Sequence, residues 1–247
     1  MARGKTLLLG MLVVAGGCDW ADAFRGDDTV VVNAYVTHHG AARDGTIPDY
    51  GEPNQSRHFE TDEGWNVTIE DGFTVTTAVA LERCDGEVVE LEPFWGALAE
   101  SVTRQDLDLL TFGGTETTSG SVCAVVVSYG PCLPGDEVSD QPDDMADLLG
   151  ASAFLRGFAM RGDEAVSFFA RTTESFTVRV PLSTPLELDA DEPFPAELTI
   201  ARTYDRFFDA TEMDNVTDDD LGQSLAAVLP LETTVHVGTR VDPAASH

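Results

Sequence analysis

Short stretches of the chain place hydrophobic residues at every second position. In the segment Phe73–Leu81, the side chains of Phe73, Val75, Val79 and Leu81 share one side of an extended chain. Ten segments show this alternation or a continuous apolar run rich in β-branched residues. They are Thr29–Val36, Trp65–Ile69, Phe73–Leu81, Leu107–Phe112, Val122–Tyr129, Ser152–Met160, Ala165–Ala170, Phe176–Leu182, Leu198–Tyr204 and Thr233–Val237. Clusters of Gly, Pro and Asp separate them, so we predict an all-β fold, an antiparallel β-sandwich that is immunoglobulin-like or similar.

One segment near the C-terminus has a helical pattern instead. Three aspartates, Asp218–Asp220, precede apolar residues spaced to share one helix face, and Pro230 follows them. This pattern predicts one short C-terminal helix. We assign residues 29–240 to a single β-sandwich domain and residues 241–247 to a tail. The stretch Gly40–Ser56 is rich in Gly, Pro, Asp and Asn and is predicted to be a long loop.

The N-terminus has the layout of a secretory signal. Arg3 and Lys5 precede the apolar run Leu7–Val14, which is too short to span a bilayer. Small residues follow and lead directly to Cys18, an arrangement that resembles the lipobox of bacterial lipoproteins. The resemblance implies cleavage of a signal peptide at residues 1–17 and acylation of Cys18, with residues 18–28 as a lipidated tether. The alternative is an ordinary secretory signal with an unrelated cysteine nearby.

A doubly or triply acylated cysteine would hold the protein stably on a lipid bilayer, which becomes its first expected partner. We therefore expect an exported, membrane-anchored lipoprotein that faces the periplasm or the cell surface.

The strongly negative net charge of the chain excludes some classes of partner. The 247 residues include 44 acidic and 14 basic side chains, for a net charge of −30. Such a chain is not expected to bind nucleic acid or anionic lipid headgroups by charge. Lys5 is the only lysine, which fits either a saline environment or a GC-rich genome that favours arginine codons. The hydrophobic content of 43% is nevertheless high enough for a folded core.

Four cysteines are present, and export would allow them to form disulfides. With Cys18 acylated, three remain. Cys84 ends one predicted strand and Cys123 lies in another, so we favour a Cys84–Cys123 disulfide over the short loop that Cys123–Cys132 would close.

No sequence motif of catalysis is present. The chain lacks the nucleophile elbow G-x-S-x-G, the zinc motif H-E-x-x-H and a phosphate-binding loop. We therefore expect a non-enzymatic protein with a binding or structural role in the cell envelope, with an envelope protein as a possible partner and an unidentified small-molecule ligand. The alternative is an enzyme of a type that carries none of these motifs.

Histidines offer one candidate metal site. His38 and His39 end the first predicted strand, His58 lies just before the second, and Trp65 follows. If the intervening loop folds back, His58 could approach one of the first two and hold copper or zinc. Neighbouring strand residues point to opposite faces, so His38 and His39 would not both ligate unless the strand ends between them. The alternative is a pair of exposed loop histidines.

Carboxylates offer a second candidate site, for calcium. Glu212, Asp214, Asp218 and Asp220 crowd one segment, and oxygen ligands at this density suit Ca²⁺. The spacing is not that of an EF-hand loop. The alternative is that Asp218 and Asp220 cap the N-terminus of the predicted helix.

The order of several short motifs is similar to that of exported β-sandwich lipoproteins of the myxobacterial kind, and more distantly to the MbnP-type copper-associated periplasmic family. These motifs are Arg57–Val67, Asp106–Leu110, Ser119–Cys123, Gly150–Gly157 and Tyr204–Asp209. The resemblance implies a copper-handling accessory protein, in which His58 and Trp65 would inherit the metal-binding role. Phe94-Trp95-Gly96 stands where that family would have a histidine-rich stretch.

Overall fold

The first predicted segment shows how the alternating pattern becomes structure. The computed structural model describes residues 28–41 and 51–243, and its first strand, β1, runs over Thr29–His39. Val30, Val32 and Val36 are buried, while the residues between them in the first half of the strand are half-buried. One face of this strand therefore supplies the core and the other remains nearer to solvent.

The described residues form fourteen strands and two α-helices. The strands after β1 are β2 (Arg57–Glu60), β3 (Asn66–Arg83), β4 (Val88–Glu90), β5 (Glu92–Pro93), β6 (Leu98–Ser101), β7 (Leu110–Thr118), β8 (Gly120–Tyr129), β9 (Glu137–Val138), β10 (Ala153–Arg161), β11 (Glu164–Thr172), β12 (Phe176–Leu188), β13 (Ala196–Thr203) and β14 (Thr233–Val237). The helices are α1 (Met145–Leu148) and α2 (Asp218–Val228), and a 3₁₀ turn covers Arg206–Phe208.

These strands form two sheets. The five-stranded sheet has the order β14-β13-β1-β7-β5, and the nine-stranded sheet is built around β3, which pairs with β2, β4, β6, β8 and β10. Apolar side chains from both sheets meet in one core, for example Val32 and Ile200 from the first and Val79 and Leu155 from the second. The all-β sandwich with a short C-terminal helix is thus confirmed.

Most strand pairings are antiparallel, as predicted, and two are parallel. β1 lies parallel to β13, with Val32 opposite Ala196, and β6 lies parallel to β9. A parallel neighbour needs a long connection, and most of the chain lies between β1 and β13. The short-range alternation in the sequence carries no information about such a distant partner.

One predicted turn is instead the middle of a strand. Asp71-Gly72 separates two predicted segments, but β3 continues through it for 18 residues. The Asp71 carboxylate is accommodated there because it accepts hydrogen bonds from the backbone N–H of Asp143 and from the Arg156 guanidinium, both at 3.1 Å. A side chain that usually favours turns is therefore satisfied by tertiary partners.

The favoured disulfide is present. Cys84 and Cys123 are bonded, with their Cα atoms 4.9 Å apart, and they join the end of β3 to β8. Cys132 is a free, buried cysteine, and burial raises the pKa of its thiol. Cys84 directly follows β3, and Cys123 lies in β8, which pairs with β3 in the same sheet.

Several predictions fall outside the described residues. The signal peptide at residues 1–17, Cys18, the tether up to residue 27, residues 42–50 of the long loop and residues 244–247 of the tail are not described. Among the described residues, no helix is both long and apolar enough to cross a membrane.

Candidate functional site

A group of ionisable side chains lies in the interior at the C-terminal end of β1. We call it the buried charge cluster, and it consists of His38, Arg57, Glu100, Asp106, Arg202 and Tyr204. Each of these residues is no more than 6% exposed. Both sheets contribute to it. In the five-stranded sheet, β1 supplies His38 and β13 supplies Arg202; in the nine-stranded sheet, β2 supplies Arg57 and β6 supplies Glu100.

Glu100 links the two sheets. One of its carboxylate oxygens lies 2.9 Å from His38 Nδ1, and the other accepts a hydrogen bond from the Arg202 guanidinium. Arg202 also donates to Thr76 Oγ1 over 2.9 Å. The strand positions explain this geometry, because Arg202 follows Leu198 and Ile200 on the inward face of β13.

Asp106 is the second carboxylate of the cluster. It accepts a 2.9 Å hydrogen bond from the Tyr204 hydroxyl and forms an ion pair with Arg57, whose Nε lies 3.2 Å from Asp106 Oδ1. Arg57 also donates to the backbone carbonyls of Glu52 and Gln55, at 3.1 and 2.8 Å. Arg57 thereby fastens the end of the long loop to the sandwich.

The electrostatics of the cluster favour an uncharged His38. Its Nδ1 and Nε2 face the acceptor oxygens of Glu100 and Arg104, the latter at 3.1 Å. These acceptors would suit a protonated imidazolium ring. The positive charges of Arg57 and Arg202, however, already balance the negative charges of Glu100 and Asp106, so the cluster needs no further cation. Burial lowers the pKa of His38 to about 4, and this effect exceeds the opposing attraction of Asp106.

The cluster is closed to ligands. The cavity beside it has a volume of about 10 Å³, close to the minimum for one water molecule. Burial and the neighbouring Asp106 carboxylate raise the pKa of the Tyr204 hydroxyl, so this phenol stays protonated. The arrangement suits a structural role in which opposite charges pair inside the sandwich, and Arg57 Nε and Asp106 Oδ1 meet there as an ion pair without a hydrogen bond.

The predicted copper residues are not brought together. His38 lies in the buried charge cluster. His39 is also buried, at 1% exposed, and its Nδ1 bonds to the Gly40 carbonyl over 2.8 Å. His58 is exposed on the opposite side of β2 from Arg57, where its Nδ1 lies 2.9 Å from Thr68 Oγ1. The alternative of two exposed loop histidines is therefore also wrong for His38 and His39, because β1 continues through both.

Trp65 lies elsewhere in the core, completely buried. The Arg161 guanidinium stacks 4.3 Å from the centre of the Trp65 ring. The Nε1 atom of Trp65 lies 3.4 Å from Glu212 Oε2. Within residues 28–41 and 51–243, no group of three or more His, Cys, Asp or Glu side chains could hold a metal ion.

The predicted calcium residues are divided between two structural tasks. Glu212 and Asp214 face Arg161, at 2.8 and 3.8 Å. Asp220 forms a capping box with Thr217, the N-cap residue of α2. Asp218 accepts a 2.9 Å hydrogen bond from the backbone N–H of Phe169 and so fastens the helix to β11. Asp220 thus caps the helix as the alternative predicted, whereas Asp218 bonds to a neighbouring strand, and the four predicted calcium residues do not converge.

Arg57, Glu100, Asp106 and Arg202 were not predicted as a group from the sequence. One signal was available, because Arg202 follows the apolar residues Leu198 and Ile200 at the alternate positions of β13. A charged residue at such a position requires a buried partner. The identity of that partner depends on strand pairings that join residues about a hundred positions apart.

Together these features define an all-β protein of two packed sheets with one disulfide. No protein-family model matches the chain, and no curated protein matches it either. Its structure is similar to that of MbnP from Methylosinus trichosporium, with 9% sequence identity over 70% of this chain and 75% of that one. The TM-score of 0.31 is too low for this similarity to support an argument about function.

Proposed function

We propose that this chain is an exported, lipid-anchored β-sandwich protein of the cell envelope, with a binding or structural role and no catalytic activity. The observation that carries the proposal is the Cys84–Cys123 disulfide. Stable disulfides belong mainly to oxidising compartments outside the cytoplasm. The bond agrees with the secretory signal and with the lipobox-like sequence that ends at Cys18.

The position of the N-terminal strand is compatible with a short tether. The carbonyl of Asp28 accepts a 3.1 Å hydrogen bond from Ser119 N–H, and Cys84 N–H bonds to the Ser121 carbonyl at the same end of the sandwich. Asp28 lies ten positions after Cys18, and a chain of this length spans at most about 35 Å. An anchor at Cys18 would keep the disulfide-bearing end near the bilayer and the buried charge cluster at the far end of β1.

The non-catalytic part of the proposal rests on how the titratable groups are used. The histidine, carboxylates and arginines of the buried charge cluster bond to one another beside a cavity of only about 10 Å³. Nothing in the described part of the chain favours copper handling as a second function, because His38, His39 and His58 lie in separate environments.

Lipidation can be tested with the full chain produced in a bacterium that processes lipoproteins. We expect the wild type to enter the membrane fraction and to incorporate a palmitate analogue, whereas Cys18→Ser and globomycin-treated cells lose both properties. Cys132→Ser is the matched control and should behave like the wild type. Membrane association that persists in Cys18→Ser would contradict the proposed anchor.

Thiol counting tests export independently. The structure pairs Cys84 with Cys123 and leaves Cys132 free, and an acylated Cys18 has no thiol. The denatured mature protein should therefore react with one equivalent of an alkylating reagent before reduction and with three after it. One additional thiol in both measurements would indicate an oxidised chain without acylation.

A further inference from the structure

An exposed aromatic pair lies on the segment that connects the two sheets. After β4, the chain buries Leu91, joins the edge of the five-stranded sheet as β5 and returns to the nine-stranded sheet as β6. Phe94 and Trp95 occupy the turn between β5 and β6 and are 56% and 71% exposed. The other aromatic pairs differ, since Phe207-Phe208 is buried and Phe168 is buried beside a half-buried neighbour.

A cavity of about 480 Å³ opens beside Phe94 on the outer face of β1 and β7. Val31, Asn33 and Gly114 contribute to its lining, together with the carboxylate-bearing residues Glu92 and Glu116. Glycine is required next to Gly114, because a Cβ at Gly113 would lie 2.1 Å from the Glu92 carbonyl oxygen. Gly113 therefore lets β5 approach closely, and a Cβ at Gly114 would lie 2.8 Å from the Val32 carbonyl oxygen of β1.

The charge around this cavity has one sign. Glu92 and Glu116 are exposed, and neither forms an ion pair in the described part of the chain. Among the residues that the structure describes, no lysine, arginine or histidine lines the cavity. An aromatic face beside two free carboxylates attracts a cation with an apolar stem, through cation–π and charge–charge interactions.

We propose that Phe94, Glu92 and Glu116, with the exposed Trp95 at the next position of the turn, form a docking site for a basic segment of a partner protein, which inserts an arginine or lysine side chain beside Phe94. Exposed aromatics commonly carry most of the binding energy at protein interfaces, and surrounding charges select the partner. The net charge of −30 adds long-range attraction for such a partner. This site does not depend on the anchor, so the two proposals can fail separately.

The test uses the full-length Cys18→Ser chain and two short labelled peptides, one alternating arginine with alanine and the other glutamate with alanine. Binding is measured by fluorescence anisotropy at physiological salt. We expect the arginine peptide alone to bind. The double substitutions Phe94→Ser/Trp95→Ser and Glu92→Gln/Glu116→Gln should each weaken binding by about tenfold, which corresponds to about 1.4 kcal/mol.

Phe194→Ser/Glu192→Gln is the matched control, because Phe194 is 78% exposed and lies beside an exposed glutamate elsewhere on the surface. It should change the affinity less than about twofold. Circular dichroism checks that each variant is folded. Equal losses in the control would show general attraction to carboxylates and would overturn the proposal. So would failure of the arginine peptide to bind, or unchanged affinity in the Phe94/Trp95 variant.

Discussion

Glu100 is the residue on which the buried charge cluster depends most. Its two carboxylate oxygens face His38 and Arg202, and all three side chains are no more than 4% exposed. A buried charged group has lost its favourable hydration. Removal of its partner therefore lowers the free energy of unfolding by more than the intact pair adds to it in net terms. Each member is therefore held in place by the penalty of leaving the others unpaired.

Substitution of Glu100 tests this interdependence. We expect Glu100→Gln to lower the free energy of unfolding by about 3–5 kcal/mol, because Arg202 keeps its charge without a compensating carboxylate. Glu90→Gln, at an exposed position of β4, is the control and should change stability by less than about 0.5 kcal/mol. Urea denaturation measures both. A loss below about 1 kcal/mol for Glu100→Gln would mean that water solvates the cluster.

His38 makes stability depend on pH. Its pKa is about 4 in the folded protein and 6.5 in the unfolded chain, so between these values the unfolded chain binds more protons. The contribution of His38 is complete above about pH 6.5 and is lost as the pH falls towards 4, by about 3 kcal/mol in total. His38→Gln lacks this titration, so the stability difference between wild type and variant should shrink over that range. A His38 NMR titration with its midpoint near pH 7 would contradict the expected loss.

At the scale of elements, β1, β8 and β12 could be predicted because each supplies several alternating residues, and α2 because acids precede its apolar face. The short strands β2, β4, β5, β6 and β9 have two to four residues each, too few for a periodic pattern. They form because β3, β6 and β7 offer them backbone partners. The candidate metal sites failed for a related reason, since nearness in sequence did not bring His58 to His38.

The packing of α2 against β11 can be tested by whether Gly222→Ala raises or lowers the stability of the protein. Helix propensity alone predicts that Gly222→Ala stabilises the protein by up to about 1 kcal/mol. A Cβ at Gly222, however, would lie 2.2 Å from the Arg171 carbonyl oxygen, so we expect a loss of about 1–3 kcal/mol from overpacking. Ala227→Gly, at an exposed position of α2, measures the propensity effect alone. Thermal unfolding that shows Gly222→Ala to be stabilising would mean that the helix does not pack this closely.

For the molecule as a whole, acidic residues outnumber basic ones by more than three to one. The few arginines are surrounded by several carboxylates, as Arg156 is by Asp71, Asp143 and Asp147. Within residues 28–41 and 51–243, most acids form no ion pair, and only Asp71, Glu100, Asp106 and Asp205 are buried. Repulsion among the acids opposes the compact state unless salt screens it.

Salt should therefore stabilise this protein at neutral pH. The screening length falls from about 30 Å at 0.01 M to about 3 Å at 1 M salt, and relief of about 1–2 kcal/mol would raise the thermal midpoint by roughly 2–8 °C. The rise should level off as screening becomes complete. The control is the same NaCl series near the isoelectric point of about 4.1, where the net charge vanishes and the salt effect should largely disappear. An equally large, continuously rising effect at both pH values would assign the stabilisation to salting-out, and the surface carboxylates would then have little influence on stability.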